Sequence, residues 1–356
     1  MSGIILRVDV PRWRAHLRRT LAETPSLVPV DKGNGYGYGL VRLALEAARL
    51  GVDTLAVGMA EEVAVVRDHF TADLVVLTPW RPDDEVATAL LGDSNLVTTV
   101  SRLEDLAAVG ERAERPPVLV EVLTSMRRYG IPHTELPRVP TWLDRVDFRG
   151  WTIHLPISGT DRVLEAEQLG RAALAAARGP LWFSHLSAAE TREVADRLGT
   201  GGAAAPVRLR LGTMLWSGGA DTHWPMATVL DVHPVVRGQR VGYRQRRCLA
   251  DGWIIVMAGG TSQGIGMEAP TAASSLRQRA ISVASGSMEA AGWALSPYTI
   301  AGKKRWFIEP PHMQSSLIFL PRAVAPPAIG DEVPVRLRLN TAVVDHLVEV
   351  EPGTGS

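Results

Sequence analysis

Residues 27–39 read Leu27-Val28-Pro29-Val30-Asp31-Lys32-Gly33-Asn34-Gly35-Tyr36-Gly37-Tyr38-Gly39. A short apolar run followed by a lysine and alternating glycines describes a buried strand that ends in a tight turn. Apolar residues then recur at Leu40, Leu43, Ala44 and Ala47, the three- and four-residue spacing of a helix face. The stretch is thus one strand–turn–helix unit. Outward from it the same rhythm returns at 54–57, 74–77, 96–99, 118–122, 151–154, 181–183 and 207–209, with helical spacing between the runs, as at Leu164, Leu169 and Leu174. Ser101 with Glu104 and Ser187 with Glu190 read as capping boxes that open two of the helices. Eight such alternations over roughly 220 residues match an α/β architecture of the TIM type, a (β/α)8 barrel, better than an open doubly wound sheet.

After Gly218-Gly219 the pattern changes. Runs at 229–236, 248–257, 306–308, 316–320 and 333–339 are β-rich and separated by Gly and Pro, with one candidate helix at 270–285. This predicts a barrel over 11–222 and a mainly β C-terminal domain over 223–352, joined by an N-terminal strand at 3–10. Gly259 to Gly266 is the most flexible-looking segment.

The chain of 356 residues is long enough for a large domain plus a smaller one. Its 38 basic and 38 acidic side chains balance, and 46% of residues are apolar, which indicates neither wholesale disorder nor a strongly basic nucleic-acid-binding surface, and leaves a local basic patch open. No apolar run reaches membrane-spanning length, and Arg7 and Asp9 interrupt the start where a secretory signal needs an apolar stretch. A cytoplasmic protein with neither membrane nor nucleic-acid partner is expected. The single cysteine, Cys248, excludes an intrachain disulfide and a thiolate cluster for zinc. Three of the 38 basic residues are lysines, Lys32, Lys303 and Lys304, so Lys32 stands alone in the first 302 positions. A desolvated amine can lose its proton and become a nucleophile, whereas a guanidinium stays charged. In a barrel the working residues sit at the carboxyl ends of the strands, where Lys32 falls. The segment is not a P-loop, because its lysine precedes the glycines. On spacing alone, a glycine-rich turn with an incidental cation stands beside the functional reading.

The stretch Val28 to Gly39 resembles the alanine racemase signature A-V-V-K-A-N-A-Y-G-H-G, found in fold-type III pyridoxal-phosphate enzymes. Arg7 to His16 resembles the family's opening strand and helix, and Glu61-Glu62 its E-A pair. Val120 to Gly130 resembles K-V-D-T-G-M-x-R-L-G, Gly150 to His154 resembles G-x-x-T-H, and Leu186-Ser-Ala-Ala189 resembles N-S-A-A. Leu209 to Trp216 resembles V-R-P-G-I-x-L-Y, while Arg237 to Tyr243 and Gly330 to Val333 match landmarks of the family's β domain. Their order along the chain carries more weight than any one of them.

The resemblance implies pyridoxal 5'-phosphate as cofactor, held as an imine by Lys32. It implies that Tyr36 and Ser187 bind the phosphate with the backbone of Gly212 and Thr213, and that Arg210 faces the pyridine nitrogen. An arginine there leaves the ring neutral, which disfavours transamination and favours proton movement at Cα. His154 would pack against the ring and Arg128 would hydrogen-bond the phenolic oxygen. His185 and His312 read as structural, and no metal is expected. The family's second base, a tyrosine in G-Y-A-D-G, has no counterpart in Ala258 to Gly264. Racemisation needs an acid–base group on each face of the intermediate, so Tyr298, Cys248, Ser262 and His312 are the candidates, with Tyr298 put forward, and the run 268–298 could bring a replacement. Glu121 occupies the position of the family's carbamylated lysine, Leu123 that of the D-T-G-M aspartate, and Met313-Gln314 that of its M-D pair. The expectation is a racemase or epimerase acting at Cα of a small amino acid, as a homodimer with shared active sites. The alternatives are a one-base lyase, aldolase or decarboxylase on a larger substrate and a non-catalytic cofactor-binding homologue.

Overall fold

The computed structural model describes residues 1–24, 26–159, 161–200, 206–219, 221–267 and 294–351. The chain begins with β1 (Ile4–Asp9) and α1 (Val10–Glu23) and then enters eight parallel strands. These are β2 (Leu27–Asp31), β3 (Thr54–Val57), β4 (Asp73–Val76), β5 (Leu96–Val100), β6 (Pro117–Val122), β7 (Asp147–His154), β8 (Leu181–Ser184) and β9 (Val207–Leu211). Each pairs with the next, and β9 pairs back with β2 through Val28 opposite Arg210, so the sheet closes into a barrel. The helices between them are α2 (Leu40–Leu50), α3 (Ala60–Val66), α4 (Glu85–Ala89), α5 (Leu103–Gly110), α6 (Pro140–Leu143), α7 (Arg162–Ala176) and α8 (Ala188–Leu198), with α9 (Thr213–Trp216) after the last strand.

The two-residue period of a strand sends alternate side chains inward and outward. Val118, Val120 and Val122 of β6, Trp151 and Ile153 of β7, and Phe183 of β8 point out and join Leu106, Val109, Ala173 and Val194 in the layer under the helices. Val28, Val30, Ala56, Val75, Val97, Leu119 and Trp182 form a separate cluster inside the barrel. Burying a side chain of the size of Ile153 or Phe183 contributes roughly 1.5–3 kcal/mol, so these two layers set the closure. The same alternation that buries Val28 and Val30 aims residue 32 inward and residue 31 outward.

The predicted cap at Ser187 forms: its Oγ accepts from the Glu190 amide at 3.1 Å, and the Glu190 carboxylate accepts from the Ser187 amide at 2.7 Å. The one at Ser101 does not. There α5 starts one residue later than that reading requires, behind Arg102, and the Ser101 hydroxyl accepts from Arg81 at 3.1 Å.

Residues 14–219 form one unit and residues 1–13 with 220–356 the other. The second unit holds β10 (His223–Val235), β11 (Arg240–Val241), β12 (Arg246–Arg247), β13 (Gly252–Ala258), β14 (Leu295–Ile300), β15 (Lys303–Phe307), β16 (Ser315–Pro321), β17 (Glu332–Pro334) and β18 (His346–Val350). Its main sheet runs β14-β15-β16-β13-β10-β1-β18, with β17 also on β10. Strand β1 lies antiparallel to β10 and parallel to β18, and Arg7 holds Glu332 through two hydrogen bonds of 2.7 and 2.8 Å. The segment from Gly259, read as flexible, is tied along its length. The Gly259, Thr261 and Ser262 amides donate to the carbonyls of Gln314, His312 and Met313, and buried Gln263 donates to Asp345 at 3.2 Å. The candidate helix at 270–285 lies outside the described residues, as does most of the run 268–298.

Candidate active site

Four neighbouring strands, β7, β8, β9 and β2, deliver polar side chains to the carboxyl end of the barrel. Register puts His154 beside Ser184 and Ser184 beside Arg210. The His154 ring and the Ser184 hydroxyl share a hydrogen bond of 2.7 Å. Arg210 is buried, and its Nε and one terminal nitrogen have no hydrogen-bond partner among the described residues. Burial lowers its pKa to about 10, with Arg128 adding to the effect and Glu121 opposing it. Glu121 reaches the same interior from β6, with Oε2 equally unpartnered. Burial raises its pKa to about 7 against the pull of Arg210, Arg128 and Arg81. Buried polar groups without a protein partner, gathered in one barrel interior, are suited to hold a polar ligand.

Lys32 follows β2 at the rim. Water can reach it, yet enough protein surrounds it that desolvation, followed by the charges of Arg128 and Arg210, pulls its pKa below the usual lysine value, with Glu62 opposing. Its loop is fixed by Glu62 at the start of α3, whose carboxylate accepts from the amides of Gly33 and Gly58, both at 2.6 Å, and of Met59 at 3.2 Å. Tyr36 is held in the left-handed region at φ 52°. The residue is buried, and its hydroxyl lies against Gly212, where any Cβ would collide with it. Gly212 therefore has to be glycine, and its bare backbone lets the tyrosine hydroxyl approach the chain directly ahead of Thr213. Buried Trp216 anchors the end of α9 by donating to the Val30 carbonyl at 2.8 Å.

Arg128 stands on the loop after β6, exposed, with its guanidinium 5.2 Å from the centre of the Tyr129 ring. Gly130 closes that loop at φ 124°, where a Cβ would run into the Val122–Leu123 backbone. Ser187 is exposed at the start of α8. The structure thus brings Lys32, Tyr36, His154, Arg210 and Gly212 to one end of the barrel, with Arg128, Ser187 and Thr213 on its loops. Burial and the charges of Arg210 and Arg128 hold the His154 pKa far below the ordinary imidazole value, so the ring is neutral.

Tyr298 is not among them. It is fully buried in the β unit beside Ile4, Met257 and Ile318, where its hydroxyl donates toward the carbonyls of Ala258 and Gly259 at 2.9 Å. Burial raises its pKa further, so it is built as a core tie rather than as an exchanging acid. Cys248 is buried with Val235 and Ile254. The Ser262 hydroxyl donates to the Met313 carbonyl at 2.5 Å, and His312 is engaged with Glu309 at 2.7 Å. Two polar residues at the barrel end escaped the sequence reading. Asp31, read only as part of the motif, is a fully buried carboxyl with neither oxygen paired. His185, read as structural, stands half-buried at the rim with its ring centre 4.9 Å from that of His154. The available signal for His185 was its place immediately after a strand whose neighbour also ends in histidine. Among the described residues no three His, Cys, Asp or Glu side chains gather as a metal would need, and no described helix is long and apolar enough to cross a membrane.

A family model described as "Alanine racemase, N-terminal domain" matches residues 8–217. The alanine racemase of Symbiobacterium thermophilum is 32% identical over 144 residues, 39% of this chain and 38% of that protein. That of Geobacillus kaustophilus is 30% identical over 136 residues, 37% and 35% of the two chains. The chain thus aligns with less than half the length of these curated relatives. Among solved structures, an alanine racemase from Bartonella henselae with covalently bound pyridoxal phosphate superposes with a TM-score of 0.74 at 14% identity, over 98% of this chain and 100% of that one. The biosynthetic alanine racemase from Pseudomonas aeruginosa gives 0.69 at 18% identity, over 99% of both chains. At such identities the likeness is one of fold.

Proposed function

Because the chain belongs to the alanine racemase N-terminal domain family, we propose that it is a pyridoxal-phosphate-dependent enzyme that moves a proton at Cα of a small amino acid, in the manner of a racemase or epimerase. The observation that carries this is the convergence of one partly desolvated amine, Lys32, with the buried guanidinium of Arg210, two of whose nitrogens lack a partner among the described residues, and with the Tyr36 hydroxyl set against Gly212 ahead of Thr213. The cofactor needs an amine, a phosphate anchor, a partner for its ring nitrogen and a surface to pack on, and these residues fit those needs.

When bound, pyridoxal phosphate supplies an electron sink that acidifies the Cα–H of an amino acid joined to it. Lys32 would carry the cofactor's aldehyde carbon and, once displaced by substrate, move a proton at Cα. Its lowered pKa favours the neutral amine that such attack requires. Tyr36 would donate its hydroxyl to the phosphate, beside the backbone of Gly212 and Thr213 in the last barrel turn. Ser187 accepts from Glu190 in its cap, which leaves its own O–H free to donate to the same phosphate. Arg210 would meet the ring nitrogen and keep it unprotonated, His154 would pack on the ring as a neutral imidazole, and Arg128 would reach the phenolic oxygen.

The sealed position of Tyr298 favours one further reading, a one-base reaction such as that of a lyase or aldolase. Purified protein titrated with pyridoxal phosphate and then supplied with an amino-acid panel in deuterated water separates the two. Exchange at Cα with inversion supports a racemase, and exchange with retention supports one-base chemistry. A protein that takes up no cofactor overturns both. The proposed homodimer is checked by sedimentation, where a strict monomer would contradict it.

A further inference from the structure

A planar group that docks end-on against Arg210 has a protein wall on each side, because β9 is flanked by β2 and β8. The β2 side presents Lys32. The β8 side presents His185, the residue after the strand end, with its ring edge-on to His154. From this flanking we propose that His185 is a catalytic acid–base group, serving the opposite face of the substrate from Lys32. This role presupposes the cofactor chemistry proposed above.

His185 is held for a purpose other than packing. Its backbone lies in the left-handed region at φ 62°, a conformation that costs energy in a non-glycine residue and persists where the surroundings fix it. Arg162, the first residue of α7, does the fixing: its guanidinium donates to the His185 carbonyl at 2.9 Å and is itself held by Glu190 at 3.0 Å. Glu190 belongs to the cap of α8 with Ser187, so the helix that follows β8 is braced against the histidine's main chain. The ring, by contrast, is half-exposed and makes no hydrogen bond to another described residue that would occupy it. Burial, with the positive charges of Arg210, Lys32, Arg162 and Arg128, lowers its pKa, so the imidazole rests in its neutral form, the form with a free lone pair. His154 is less suited, because Ser184 engages its Nδ1, and Tyr36 is turned to Gly212.

The step balances without a further reactant. On one face the Cα–H bond would break, with the proton going to the neutral His185 ring and the cofactor supplying the sink for the electron pair left at Cα. On the other, Lys32, carrying the proton it would take from the substrate's ammonium group on being displaced, would give that proton to form the new C–H bond. The two groups then restore their protonation states through water at the barrel rim.

Two measurements test this. In the first, diethyl pyrocarbonate is applied to the cofactor-free protein and to the protein loaded with pyridoxal phosphate, and the peptide containing residue 185 is weighed. Modification of His185 in the free protein and its protection on loading is the expected result. In the second, His185→Asn, which tolerates the left-handed backbone, is loaded and assayed by Cα deuterium exchange. It should keep the bound colour and its borohydride fixation at Lys32, while exchange with inversion falls by about 10²- to 10⁴-fold and is partly restored by added imidazole. Protection together with unchanged exchange in the variant overturns the role of His185 and leaves the cofactor reading standing. Equal modification with and without cofactor, or a panel in which no amino acid exchanges in a His185-dependent way, also overturns it. Failure of the wild type to take up cofactor instead removes the cofactor reading, and this role with it.

Discussion

Replacing Asp31 by Asn should flatten part of the protein's pH-dependent stability. Asp31 ends β2, points away from the barrel interior toward Gly35, and is fully buried with both carboxylate oxygens unpaired. Burial, aided by the nearby Glu62 charge, raises its pKa from 3.8 to about 8. The folded state therefore binds this proton more tightly than the unfolded chain. The resulting stabilisation is complete below the unfolded value and is lost as pH climbs toward 8. Linkage gives about 1.4 kcal/mol per pH unit inside that window, hence roughly 2–3 kcal/mol between pH 5 and pH 7 from this one group. Asn does not titrate. Urea melts of wild type and Asp31→Asn at pH 5, 6 and 7, followed by tryptophan fluorescence, should show the wild type losing about 2–3 kcal/mol more than the variant across that range. Groups not coupled to Asp31 titrate alike in both proteins, so the difference of differences reports Asp31 together with its coupling to Glu62. Equal losses would mean that the carboxyl is solvated or paired, and the argument from its burial would fail.

Gly212→Ala forces a methyl group into the Tyr36 hydroxyl. It should cost about 1–3 kcal/mol by overpacking and weaken cofactor uptake more than Tyr36→Phe does, measured by melting and by titration with pyridoxal phosphate. Tyr298→Phe keeps the ring and removes the hydroxyl that ties Ala258 and Gly259. It should destabilise by roughly 1–3 kcal/mol and leave Cα exchange intact; lost exchange at unchanged stability would instead make Tyr298 the second acid–base group.

The barrel was legible because its strands are runs of β-branched and aliphatic residues bounded by glycine or helical spacing, and all eight appear where those runs fall. In the β unit the sequence was harder to read. Strand β14 contains Pro297, a residue that argues against a strand interior, yet it pairs with β15 and buries Ser296, Tyr298 and Ile300 alternately. Strand β18 has mixed polarity because it lies at a sheet edge beside β1. The site was legible as far as motif order reached, at Lys32, Tyr36, His154 and Arg210. The burial of Asp31 and the bracing of His185 were not, since both depend on which side of a strand a residue faces and on what a helix one strand away brings to it. Tyr298 misled for the same reason: its type suits acid–base chemistry, but sheet parity turns it into the core.

Reduction with borohydride after loading with pyridoxal phosphate, followed by peptide mass mapping, tests the central claim most directly. A single pyridoxyl adduct on Lys32, absent from Lys32→Ala, is the predicted result. An adduct spread over Lys303 and Lys304, or none at all, would contradict it.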